Sequence, residues 1–356
     1  MTQTSTDSTK GTVLSGMRPT GDLHVGHFEG VLRNWIQLQD THKCFYFVAD
    51  WHALTTETST KDLERHTLDM VKDWIAFGVD PTKSTIFIQS YVPQHAELGL
   101  ILERLVNIGA AERVPTFKAQ AEHMAGDRII KDIGGNILEG EERLRAVSRS
   151  DLSLGFMAYP VLQAADILLY QATHVPVGED QVPHIELTRE LGRRFNQIYG
   201  EVFPIPEAML NEAKRIRGID GRKMSKSYGN AISPDQTPEE LETGVRRMVT
   251  VRPRMKDKGD PFECAVYDLH KVFNTTGQRD VTIAQSCRDA SIRCLDCKLE
   301  LPPLMAVSYE QFRERRGVIT DDYVRDVLRD GNKKAREVAA QTMERVRHHM
   351  LLNYLD

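Results

Sequence analysis

Three groups of residues combine side-chain types and spacings that could do chemistry. The first is Thr20-Gly21-Asp22-Leu23-His24-Val25-Gly26-His27. Its glycines let a backbone come close to a ligand, a helix starting here presents N–H groups to an anion, and two imidazoles three residues apart can both donate to phosphate. Such a turn suits a nucleotide triphosphate, although H-x-G-H alone also fits a strand-to-helix turn with two solvated histidines. The second is Lys223-Met224-Ser225-Lys226-Ser227, between Gly221-Arg222 and Tyr228-Gly229. Two ammonium groups and two hydroxyls on a glycine-flanked loop can close over a pyrophosphate and neutralise its developing charge in an in-line displacement. The third is Cys264, Cys287, Cys294 and Cys297, separated by 22, 6 and 2 residues. Structural zinc usually takes two close pairs of ligands, and only Cys294 and Cys297 form one. Four thiolates are what a 4Fe-4S cluster requires, so the cluster is expected, with zinc as runner-up and unligated thiols third.

The elements that must position these groups follow from periodicity. Thr12–Gly16, Cys44–Ala49 and Thr85–Gln89 read as strands, each followed by a helical pattern, which is the sign of parallel βαβ units. Phe28, Val31, Leu32, Trp35, Ile36 and Leu38 form a helical stripe that packs on the sheet. The expected fold is α/β, a Rossmann-type doubly wound parallel sheet over residues 12–230, with a C-terminal α-helical domain over 231–356 that carries the cysteines. Residues 1–11 read as a disordered polar tail. Residues 119–150, with scattered glycines and many charges, read as a loop insertion. The clearest helix is Lys333–Leu351, where Ala335, Val338, Ala339, Met343, Val346 and Met350 recur at helical spacing.

The 356 residues are 40% hydrophobic and 27% charged, an ordinary globular composition, and no run approaches the ~18 apolar residues of a membrane span. The polar first residues lack the apolar stretch of a secretory signal, so a cytoplasmic location is expected. Net charge is -5, which excludes a uniformly basic nucleic-acid binder. Local basic clusters exist nonetheless. Lys214, Arg215, Arg217, Arg222, Lys223 and Lys226 form one, and Arg246, Arg247, Arg252, Arg254, Lys256 and Lys258 form another, both candidates for contact with nucleic-acid phosphates.

HVGH and KMSKS together resemble the signatures of class I aminoacyl-tRNA synthetases. Ser15–His27 (SGMRPTGDLHVGH), Ala49–Thr56 (ADWHALTT), Tyr159–Tyr170 (YPVLQAADILLY) and Val175–Arg189 (VPVGEDQVPHIELTR) are similar to bacterial tryptophanyl-tRNA synthetases. The resemblance runs from Val13 to the last helix. It implies a Rossmann catalytic domain, a helical anticodon-binding domain, a homodimer, no membrane association, and formation of an aminoacyl-adenylate from ATP with Mg2+ before transfer of L-tryptophan to tRNA(Trp). The cysteine spacing resembles the iron-sulfur subset of that family, in which the cluster lies in the anticodon-binding domain.

Carried over residue by residue, the resemblance implies that His24, His27, Lys223 and Lys226 serve catalysis. Thr20, Gly21, Gly26, Lys118, Gly178, Asp180, Met224, Ser225 and Ser227 join them in binding ATP, with Asp180 on the ribose. Asp166 accepts the indole N–H, while Arg18, His52, Tyr159, Gln163 and Gln181 complete the tryptophan site. The spacing agrees with this, since Tyr159, Gln163 and Asp166 lie at i, i+4 and i+7 on one helix face. Two readings compete. Gln163 stands where many relatives have Met, and tyrosyl relatives carry a Gln three residues before the specificity Asp, which keeps tyrosine as the alternative substrate. GEDQVPHIELTR looks tryptophanyl, where tyrosyl relatives have a GGSDQ-like segment. A non-catalytic paralogue that binds tRNA or protein would typically have lost signature residues, and HVGH, GEDQ and KMSKS are intact here.

Overall fold

The computed structural model describes residues 11–55, 59–112, 134, 135, 137, 140, 142, 153–210, 216–224, 228–252, 254 and 256–355. Most of the 119–150 stretch lies outside them. Five strands, β1 (Thr12–Met17), β2 (Lys43–Val48), β3 (Ser84–Ile88), β4 (His174–Val177) and β5 (Glu207–Leu210), form one parallel sheet in the order β3-β2-β1-β4-β5. The chain winds outward from β1 through β2 to β3, then returns to lay β4 on the other side of β1. That reversal opens a crevice at the carboxyl ends of β1 and β4, where open α/β sheets place their ligands.

A period of two sorts β2 between the two faces. Cys44, Tyr46 and Val48 enter the core on one face, with Trp35 and Trp74, while Phe45 and Phe47 enter the other, with Phe87, Leu168 and Tyr170. Burial on both faces explains the unbroken apolar run of β2. The expected amphipathic stripe is seen, with Phe28, Leu32, Trp35 and Leu38 buried. Trp35 stacks on Tyr46 at 4.2 Å, and the Tyr46 hydroxyl donates to the Trp35 carbonyl at 2.9 Å. The short β5 (EAML), half exposed, has no apolar alternation and was not expected.

Beyond Asn230 the described residues form no strand, and helices follow one another from Pro238 to His349. The first of them, Pro238–Arg247, starts with a capping box between Thr237 and Glu240. The final helix, Asp321–His349, packs against the edge strand β3. Its Ala335, Ala339, Met343 and Val346 belong to the same apolar core as β2. Its Asn332 side chain accepts the Ile88 N–H at 2.8 Å, capping the β3 edge. The approach is so close that a Cβ on Gly331 would sit 1.7 Å from the Ile86 carbonyl oxygen, so only glycine fits. Among the described residues no helix is long and apolar enough to cross a membrane.

Candidate active site

The crevice between β1 and β4 holds a cleft of about 480 Å³. Arg18, His52, Tyr159, Gln163, Asp166 and Gln181, the six side chains expected to contact the amino acid, all line it. Arg18 follows β1, His52 sits on the short helix after β2, and Gln181 lies just after β4. Tyr159, Gln163 and Asp166 come from one face of the helix Leu154–Leu169, capped by the Ser153 side chain. Gly178 lies in the same wall, and Asp180, exposed beside it, accepts from the Gln181 amide at 3.1 Å.

Asp166 is only 1% exposed, and three side chains meet its carboxylate. Its Oδ1 accepts from Gln89 Nε2 at 2.8 Å and pairs with His95 Nδ1 at 2.6 Å, while its Oδ2 pairs with His52 Nε2 at 2.7 Å. Burial alone would push the carboxyl up; the flanking His52 and His95 imidazoles more than offset it and hold Asp166 down to about 2. The site therefore presents a buried carboxylate in the wall of the cleft. Gln89, His95, Tyr170 and His184 were not expected. Gln89 ends the third expected strand, and the carboxyl end of a strand was the available signal. His184 lines the cleft, and burial pushes its imidazole down to about 4 against the pull of Asp180.

The turn expected to meet phosphate is the next one along the chain. The Thr20 N–H donates to the Arg18 carbonyl at 2.9 Å, and Gly21 takes φ +116°, a conformation that favours glycine. His24 and His27 stack at 3.8 Å where the helix begins, with Gly26 between them. Two bonds tie this turn to the chain after KMSKS: Val25 N–H to the Ile232 carbonyl at 2.9 Å and Ser233 Oγ to the Leu23 carbonyl at 3.1 Å. Asn230 organises the loop base, donating to the Lys223 carbonyl at 3.1 Å and to Asp220 at 2.7 Å. Lys223 is exposed, whereas Met224 is buried in the core as the loop's apolar anchor. Lys118, Ser225, Lys226 and Ser227 lie outside the described residues, as do Lys214 and Arg215 of the first basic cluster.

Two arginines of the basic clusters are committed elsewhere, contrary to the charge reading. Arg217 pairs with the buried Asp268, with Nε to Oδ2 at 2.7 Å, and donates to the Glu263 and Phe262 carbonyls at 2.7 and 2.8 Å. Arg252 is 7% exposed and donates to the Ile292 carbonyl at 2.6 Å. Arg222 pairs with Asp220 and lies over the Tyr228 ring.

Cys264, Cys287, Cys294 and Cys297 line one small cavity beside Arg252. Burial, then the other three thiols, push Cys297 up to about 12. Among the described residues, no group of three or more His, Cys, Asp or Glu is arranged to hold a metal ion.

The sheet order and the helical C-terminal part are those of a Rossmann-like class I synthetase fold. The chain belongs to the family described as tRNA synthetases class I (W and Y), whose model matches residues 6–305. Within that family it is 48% identical to the tryptophan–tRNA ligase of Thermotoga maritima, over 96% of this chain and 99% of that protein. It is 40% identical to that of Aquifex aeolicus, again over 96% and 99%. The structure of Campylobacter jejuni tryptophanyl-tRNA synthetase complexed with ADP and tryptophan superposes with a TM-score of 0.75 at 28% identity, covering 95% of this chain and 99% of that one.

Proposed function

We infer that this chain is a tryptophan–tRNA ligase, which joins L-tryptophan to ATP and then to tRNA(Trp). The observation that carries the reading is the buried Asp166 carboxylate in the wall of a cleft lined by all six expected side chains. An indole N–H only donates, so its burial needs an acceptor, and Asp166 with three donors placed has one lone-pair direction to spare. A tyrosine hydroxyl would donate and accept, which this one-sided acceptor does not require.

In the reaction the tryptophan carboxylate attacks the α-phosphorus of ATP, the bond to the bridging oxygen breaks, and pyrophosphate leaves with Mg2+. The 2'-hydroxyl of the terminal adenosine of tRNA then attacks the acyl carbon and AMP leaves. The protein's part is positioning and charge stabilisation. Asp166, Tyr159, Gln163 and His52 hold the side chain; Gln181 and Arg18 face the amino-acid backbone. Gly178 and Asp180 seat the adenosine, His24 and His27 donate to the phosphates, and Lys118, Lys223 and Lys226 neutralise the departing pyrophosphate, with Thr20, Gly21, Gly26, Ser225 and Ser227 as backbone and hydroxyl donors. The helical stretch 231–356 binds the anticodon of tRNA, and the protein acts as a homodimer in the cytoplasm.

The four thiols around one cavity fit a 4Fe-4S cluster, which takes one thiolate on each iron and so spreads its ligands wider than the shell of a single zinc. A cluster held by Cys264, Cys287, Cys294 and Cys297 would supply a structural clip for the helical part, outside the chemistry of the cleft. Replacing Asp166 with Ala tests the central assignment. It should abolish tryptophan activation while leaving the fold, and retained discrimination between tryptophan and phenylalanine in that variant would sink it.

A further inference from the structure

We propose that His95, Gln89 and Tyr170 are positioning residues for tryptophan selection, a buried set behind the cleft that aims the second oxygen of Asp166 at the indole N–H. The proposal deepens the tryptophan reading and rests on it.

None of these three side chains lines the cleft, and all are at most 1% exposed. Gln89 and His95, neither of which lines the cleft, both reach Oδ1, at 2.8 and 2.6 Å. Two donors on one oxygen fix the carboxylate plane, which leaves Oδ2 on the cleft side with His52. The third member holds the second from its far side. Tyr170 Oη lies 2.9 Å from His95 Nε2, and burial followed by the Asp166 charge pushes the phenol well above its ordinary value, so the hydroxyl keeps its proton. With Tyr170 on Nε2 and Asp166 on Nδ1, both ring nitrogens are occupied and Nδ1 is the one that faces the carboxylate. The imidazole is held by the rings of Phe47 and Phe87 at 6.2 and 6.0 Å and cannot turn away.

A second observation is independent of His95. Gln89 Oε1 is buried with no hydrogen-bond partner. A buried carbonyl left unpaired is unfavourable and calls for an explanation. The orientation is kept because turning the amide would aim Oε1 at the carboxylate and remove a donor from it.

The test is pyrophosphate exchange with tryptophan and with its sulfur isostere, benzothienylalanine, which has no N–H to donate. Wild type should prefer tryptophan in kcat/KM by ~100-fold or more, as expected for a site built around one hydrogen bond. His95→Leu should lose at least ten-fold of that preference through tryptophan alone, with the isostere and the KM for ATP changed less than three-fold. His95→Asn, which restores a donor near the Nδ1 position, should keep the preference within three-fold of wild type. If His95→Leu does not fold, Gln89→Met and Tyr170→Phe decide, each expected to lower the preference at least three-fold. Equal losses for tryptophan and isostere, or an unchanged preference in the folded variants, would overturn the proposal. A wild-type enzyme that fails to activate tryptophan would instead overturn the reading beneath it.

Discussion

Replacing Arg217 with Met should destabilise the protein by about 3 kcal/mol and slow adenylate formation without weakening tRNA binding. Arg217 opens the hairpin that closes at Lys223, and its guanidinium makes the anchor: 2.7 and 3.2 Å to the Asp268 carboxylate and 2.7 and 2.8 Å to the Glu263 and Phe262 carbonyls. Removing one partner of a buried pair typically costs ~3–5 kcal/mol, because it leaves the other charge buried. Asp268 is 2% exposed, but Lys271 remains 3.0 Å from it, so the low end applies. With an unfolding entropy of roughly 2.1 cal/mol/K per residue, 3 kcal/mol corresponds to a fall in Tm of roughly 4 °C. The assay is thermal unfolding of Arg217→Met beside the double variant Arg217→Met/Asp268→Leu, which removes the orphaned carboxylate and should regain part of the loss. A Tm within 1 °C of wild type, or a double variant worse than the sum of the singles, would refute the reasoning. So would a flatter salt dependence of tRNA binding, because Arg217 would then be meeting phosphate.

Other expectations are as specific. Burial holds His184 near 4 in the folded protein against 6.5 unfolded, so the unfolded chain binds more protons between those values and stability should fall by roughly 3 kcal/mol as pH drops from about 6.5 to 4. Urea midpoints at pH 7.5 and 4.5 check this, and a His184→Gln variant with the same pH slope would contradict it. Lys226→Ala should slow adenylate formation by ~10²–10³ with little change in ATP affinity, and unchanged single-turnover activation with weakened ATP binding would exclude the catalytic role. Protein purified anaerobically should be brown with near-stoichiometric iron and acid-labile sulfide. Cys294→Ser should lose the colour and charge tRNA poorly while keeping much of its pyrophosphate exchange; colourless protein with one zinc per chain would decide for zinc.

What could be read from residues alone depended on whether the signal was local. Strands β1 to β3 and the stripe Phe28–Leu38 were legible because burial on a sheet imposes periods of 2 and 3.6 on the chain itself. The six cleft residues were legible through the family resemblance of the segments that carry them, and the i, i+4, i+7 spacing of Tyr159, Gln163 and Asp166 put three of them on one helix face. His95 and Gln89 carried no such mark, since they meet Asp166 across 71 and 77 residues of sequence, through the crossing of separate elements. Charge counting misplaced Arg217 and Arg252 for the same reason, because it cannot see Asp268 or the Ile292 carbonyl folding over them. The last helix was legible as a helix, yet its packing on β3 rests on Gly331 and Asn332, whose fit only the assembled sheet reveals.

The central claim is that the cleft selects tryptophan for activation by ATP, and amino-acid-dependent ATP–pyrophosphate exchange tests it most directly. With purified wild-type protein, Mg2+ and ATP, the account predicts rapid exchange with tryptophan, at least ~10⁴-fold weaker kcat/KM with phenylalanine, which has no N–H to offer Asp166, and none above background without an amino acid. Exchange driven by tyrosine in preference to tryptophan, or by no amino acid at all, would contradict it.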